Sequence, residues 1–226
     1  MKARNVEKTS RKTAKKAIII VFLTVLVSMV VLYCILLAIQ KRSDSEKKQP
    51  NNYRFDYVNY DEDIFGDKEY MSYDRNVYYT SVNSYMTVSI ERDSLDDVSE
   101  AYKSPVLFML DYIDAMINGE ADTFNAYHAP EFYTNGRTPL ERFTMQKLYS
   151  ITITAVDNWY DDSGAEAVRY YNMGIDYMIK NNNGTLRNDM GSDAIRRKYL
   201  TLRETADGTI TIIDESYFSR LEDMQG

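Results

Sequence analysis

The sequence predicts an α+β domain held behind a membrane-spanning helix. Three patterns carry that expectation. Residues 17–39 form an uncharged apolar run, an amphipathic helix occupies 104–118, and four β-rich stretches follow Ser150. Helices first and strands after is the order of a sheet that curls over its helices, here with helices packed on a curved antiparallel sheet.

The apolar run holds 23 residues, sixteen of them Ile, Leu, Val or Phe. At about 1.5 Å per residue it reaches roughly 34 Å, enough for a hydrocarbon core of about 30 Å. Its apolar side chains favour insertion by roughly 5–10 kcal/mol in total. A cleaved signal peptide has a shorter apolar stretch, of about 7–15 residues, and a small-residue cleavage site. Here Gln40, Lys41 and Arg42 follow instead, so the bilayer is the expected partner of residues 17–39.

Seven basic residues precede the run and four follow it before Pro50. Lys and Arg stay on the cytoplasmic side, which places the N-terminus inside and the C-terminal domain outside a single-pass cell-membrane protein. The net charge of −7 is unevenly spread: residues 1–48 carry +8 and residues 49–226 carry −15. So acidic an outer domain repels phosphate backbones, and nucleic acid is not an expected partner. The one cysteine, Cys34, lies in the apolar run, so the outer domain forms no internal disulfide. Disulfide-free export points towards a bacterial cell.

The chain then divides into a basic tail (1–16), the span (17–39), a polar linker (40–52), an acidic arm (53–103), a main domain (104–218) and a short tail (219–226). Nine of the twenty tyrosines lie in the arm, and acidic disordered segments usually lack aromatics, so the arm is expected to pack. Alternation of Met86, Val88 and Ile90 with polar neighbours predicts a strand over 82–90.

In the main domain, Ser104 is the expected cap of the first helix, with Pro105 in its first turn and Asn118-Gly119 as its stop. Val106, Met109, Leu110, Ile113, Met116 and Ile117 recur at helical spacing between them. A shorter helix fits 122–129, capped by Asp122 and closed by Pro130, and a helical turn fits 145–149. Strands are expected over 150–160, 165–180 with a bulge at Gly174, 194–204 and 209–217, with a loop over 181–193 and a turn at Asp207-Gly208.

The phrases Asp111-Tyr112-Ile113-Asp114-Ala115, Asn118-Gly119-Glu120-Ala121-Asp122 and Phe143-Thr144-Met145-Gln146-Lys147-Leu148-Tyr149, in this order of elements, resemble bacterial members of the nuclear transport factor 2-like family. The resemblance covers residues 104–218 and implies a cone-shaped fold with a concave pocket. A short cytoplasmic tail, one span and such an outer domain are also similar to bitopic core subunits of type IV secretion and conjugation machines.

Catalytic candidates are few. His128 is the only histidine and stands beside Tyr127, near Asp122, Glu131 and Tyr133. A histidine oriented by a carboxylate suits proton transfer near neutral pH, and the resemblance implies isomerase or dehydratase relatives that use His, Asp and Tyr in the cone. Against that, His128 ends a helix, where it would complement the helix dipole. Asn181, Asn182, Asn183, Asp189 and Asp193 miss the calcium-loop spacing, and Gly-rich phosphate loops and metal-binding helix motifs do not occur, so no metal or cofactor is expected.

Interaction candidates are Tyr78, Tyr79 and Tyr85 of the arm, and Arg196 and Lys198, which share one face of the expected strand 194–204 with Arg197 on the other. Two classes of function follow: a membrane-anchored extracytoplasmic module that binds a protein partner or associates weakly with itself, or an anchored enzyme or small-molecule sensor using the pocket.

Overall fold

The computed structural model describes residues 53, 55, 58–84, 86–164 and 167–218, all within the compact unit 51–226. Among them, no helix is long and apolar enough to cross a membrane. The apolar run 17–39 lies outside the described residues, as do the tails 1–16 and 219–226 and the linker 40–52.

The protein is α+β, with a six-stranded mixed sheet in the order β2-β1-β3-β4-β5-β6. The strands are β1 (Val77–Ser81), β2 (Val88–Ile90), β3 (Leu148–Asp161), β4 (Val168–Ile179), β5 (Lys198–Glu204) and β6 (Ile210–Ser216). Strands β3 to β6 form the expected antiparallel meander. The arm adds two more: β1 runs parallel to β3, with Tyr79 opposite Ile153, and β2 pairs back onto β1. The sheet is therefore mixed rather than wholly antiparallel.

One face of the sheet is apolar with a period of two. Ile151 and Ile153 of β3, Met173 and Ile175 of β4, and Leu200 and Leu202 of β5 are all at most 1% exposed. Helix α1 (Lys103–Asn118) covers this face with Val106, Met109, Leu110, Ile113 and Met116. Each such side chain contributes about 1.5–3 kcal/mol on leaving water. A short helix, α2 (Ala121–Ala126), and a 3-10 turn (Pro130–Asn135) complete the layer.

Several boundaries differ from the sequence expectation, each for a local reason. Helix α1 begins at Lys103, out of a 3-10 turn (Glu100–Tyr102), so Ser104 is already helical and Tyr102 sits at the cap without a side-chain capping bond. Asp122 likewise lies in the first turn of α2 and does not cap it; Pro130 opens the following 3-10 turn. Residues 145–149 are not helical. The Gln146 N–H donates to the Ile117 oxygen of α1 at 3.1 Å, and Leu148 and Tyr149 already belong to β3.

Of the strand expected over 82–90 only Val88–Ile90 forms, as β2, and residues 82–87 are a break between β1 and β2. The Ser84 N–H bonds Ser81, the Thr80 hydroxyl donates to the Met86 oxygen, and Val82 and Met86 are exposed. The strand over 194–204 shortens to Lys198–Glu204, because Arg196 and Arg197 turn to acidic partners. Gly174 pairs regularly; the bulges fall between Tyr149 and Thr152, Ala155 and Asp157, and Thr201 and Leu202. Such bulges bend and twist a sheet. Gly174 serves close packing instead, since a Cβ there would meet the Thr154 Cβ and the Tyr199 ring at 3.3 Å.

Gly119 ends α1 with φ of 70°, and a Cβ there would lie 2.7 Å from the Met145 nitrogen. It therefore meets two demands at once, the left-handed turn and the close passage of the chain entering β3.

Candidate functional site

His128 leaves α2 and is pinned by β6: the Ile212 N–H donates to Tyr127 at 2.8 Å and Ala129 donates to Ile212 at 2.9 Å. Its ring is 7% exposed, packed on Phe132 with centroids 4.3 Å apart and on Phe124 at 5.0 Å. Nδ1 lies 2.9 Å from the Phe124 carbonyl oxygen, so Nδ1 carries the proton and donates. Burial pushes the pKa down to about 4, which makes the ring neutral near pH 7. The expected cation at the helix end is thus a neutral donor to a helix carbonyl.

The proton-transfer constellation does not assemble. Glu131 pairs with Arg203, and Asp122 lies on the first turn of α2. Tyr127 packs its ring on Phe108 and Tyr112, at 5.2 and 5.9 Å. Tyr133 does approach His128, at 5.9 Å between centroids, but its hydroxyl is directed at Asn125.

Among the described residues, a cavity of about 30 Å³ lies between sheet and helices, bounded by Tyr112 and Met116 of α1, Phe124 of α2, Ile175 and Tyr177 of β4, and Lys198 and Leu200 of β5. That volume suits a water or two. Leu186 and Arg187, from the loop between β4 and β5, close it.

Arg187 is the group that the sequence did not single out. It is 3% exposed, forks onto Asp189 through Nε at 2.7 Å and Nη2 at 2.9 Å, and donates from Nη1 to the Tyr177 hydroxyl at 3.0 Å. Asp189 also accepts from the Tyr217 hydroxyl at 2.8 Å. Burial alone would raise the Asp189 pKa, but the Arg187 fork outweighs it and holds the carboxyl far below its usual range. An isolated buried charge would be costly, whereas a forked pair with further bonds is sustainable.

The basic cluster is locally paired. Arg196 lies over the Tyr217 ring and 3.4 Å from Asp189, Arg197 pairs with Asp176, and Lys198 reaches Glu215 at 2.8 Å. Tyr78 is half-buried and donates to Asp74 at 2.8 Å, Tyr79 is buried on the core face of β1, and Tyr85 lies outside the described residues. In the asparagine loop, Asn182 donates to the Arg187 and Met190 oxygens, and Asn183 donates to the Thr144 hydroxyl. These amides shape the loop that carries Arg187.

A second cluster, built on two buried lysines, also escaped the sequence. Lys147 bonds Glu62 at 2.6 Å and Asp67 at 2.8 Å, and Lys180 reaches Glu69 at 2.9 Å, so the arm is clamped to the ends of β3 and β4. Its partners stand some eighty positions apart in sequence, beyond the reach of any local pattern.

No protein-family profile matches the chain, and no curated protein matches it. Fold and site together define an α+β domain with a small cavity between sheet and helices and a neutral, buried histidine.

Proposed function

We propose that the chain is a single-pass, membrane-anchored extracytoplasmic module that binds a protein partner or associates weakly with itself, with residues 17–39 in the bilayer and the N-terminus in the cytoplasm of a bacterial cell. In this reading the outer domain is a nuclear transport factor 2-like cone used as a scaffold, similar in architecture to the bitopic core subunits of secretion and conjugation machines.

One observation supports module over enzyme or sensor: among the described residues, the cavity between sheet and helices is closed by the domain's own Arg187 fork and holds about 30 Å³. Ligand pockets are usually about ten times larger or more. The buried, neutral His128 supports the same reading, because its protonated nitrogen is held by a helix carbonyl.

The test removes the interior's chemistry while keeping its volume. His128→Gln and Tyr112→Phe are expected to keep the phenotype of the host gene. Loss of that phenotype, at unchanged abundance and melting temperature, would overturn the module reading.

A further inference from the structure

The two edges of the sheet are unlike. On one side β6 is backed by residues 127–129 through Ile212. On the other, β2 is outermost, and among the described residues no strand pairs with its outer edge. Free edges are templates for another strand, and β2 is short, as managed edges are.

Beside this edge runs a groove of about 220 Å³, lined by Tyr79, Met86, Val88, Asp97 and Tyr102 among others. Met86 is 69% exposed and Val82 51%, so apolar surface flanks the groove. Tyr79 is 6% exposed as a residue, but its hydroxyl, in no hydrogen bond among the described residues, is not one of the buried unpaired polar atoms and so is open to the groove that Tyr79 lines. An accessible phenol beside an apolar groove can donate to an incoming main chain. Tyr102, by contrast, accepts from Asn158 at 2.9 Å.

The rim is acidic. Glu91, Asp93, Asp96 and Asp97 are exposed and in no ion pair among the described residues. The nearby cations are engaged: Arg92 pairs with Asp111 and Asp114, and Lys103 with Glu100 at 2.9 Å.

We propose that the free edge of β2 and its groove dock an extended basic segment of a partner protein, which adds a strand to β2, seats an apolar side chain beside Met86 and accepts a bond from the Tyr79 hydroxyl. The inference rests on the module reading and names its docking site. Strand addition takes affinity from main-chain bonds and specificity from alternate side chains. The acidic rim selects a basic partner and disfavours a second copy, since two such rims would repel.

The test uses the purified full chain in mild detergent and a fluorescent peptide of about eight residues alternating Lys and Val, with a Glu and Val peptide as comparison. Fluorescence anisotropy is expected to show saturable binding of the basic peptide, about tenfold tighter than the acidic one, lost by about tenfold in Asp96→Lys/Asp97→Lys. Tyr79→Phe, which keeps the packing, is expected to weaken it about threefold or more, as for a lost hydrogen bond. Equal binding of both peptides, undiminished binding by the charge-reversed variant with an unchanged melt, or no binding up to about 1 mM would overturn the proposal. In-cell crosslinks from other faces alone would remove the groove and leave the module reading standing.

Discussion

The Tyr70 hydroxyl donates to the main-chain oxygen of Leu148 at 3.0 Å, and Tyr70 is only 1% exposed. A residue of the arm thus satisfies a carbonyl at the start of β3. The arm and the main domain share one core through Tyr79, Ile90, Leu95 and Val98, and Ile64 and Tyr70 of the arm are buried as well.

The first prediction follows from that shared core. Six arm side chains at about 1.5–3 kcal/mol each are comparable with the whole net stability of a domain, about 5–15 kcal/mol. A chain beginning at Ser104 is expected to lose its cooperative melt by circular dichroism. A sharp transition in that fragment would show that the arm is dispensable.

His128 predicts a pH dependence. Its folded pKa, about 4, lies below the ordinary 6.5, so between these values the unfolded chain binds more protons. Stability is therefore full above about pH 6.5 and falls as pH drops towards 4, by on the order of 3 kcal/mol from this group alone. Denaturant melts at pH 7 and pH 4.5 are expected to differ less in His128→Leu than in the wild type. Identical differences would mean that the ring is not held neutral.

Two glycines separate conformation from packing. Gly119 and Gly136 both have positive φ, but a Cβ at Gly136 meets nothing within 4 Å. Gly136→Ala is expected to cost about 1–2 kcal/mol for the left-handed conformation. Gly119→Ala adds a backbone clash, so its denaturation midpoint is expected to fall clearly further. Equal costs would contradict the close passage of residues 143–145 beside α1.

Orientation has its own test. Ser163 is exposed in the turn between β3 and β4. Ser163→Cys in a Cys34→Ala background is expected to react with an impermeant thiol reagent on whole cells, and protection until lysis would reverse the topology.

The elements legible in the sequence are those written locally. Apolar spacing from Val106 to Met116 defines α1, Gly119 its end, and alternation in β3 and β4 their buried face. What stayed hidden depends on distant partners. β1 pairs with β3 some seventy positions away, and the period of 82–90 looked like one strand because nothing local marks the turn that exposes Met86. His128 was visible as a residue, but its neutrality comes from aromatic neighbours on three elements. Arg187 lies in the polar loop 181–193 with no local pattern to mark it, and only its distant partner Tyr177 together with Asp189 makes it a buried group.

The central claim is that the outer domain works by binding protein through its exterior. Its most direct measurement is in-cell photo-crosslinking of the full chain, with the reactive residue placed in turn at Met86, Tyr160 and Ile195, which are 69%, 64% and 55% exposed. The account predicts discrete protein adducts, strongest from Met86. A chain at normal abundance that yields no discrete adduct from any of the three positions would contradict it.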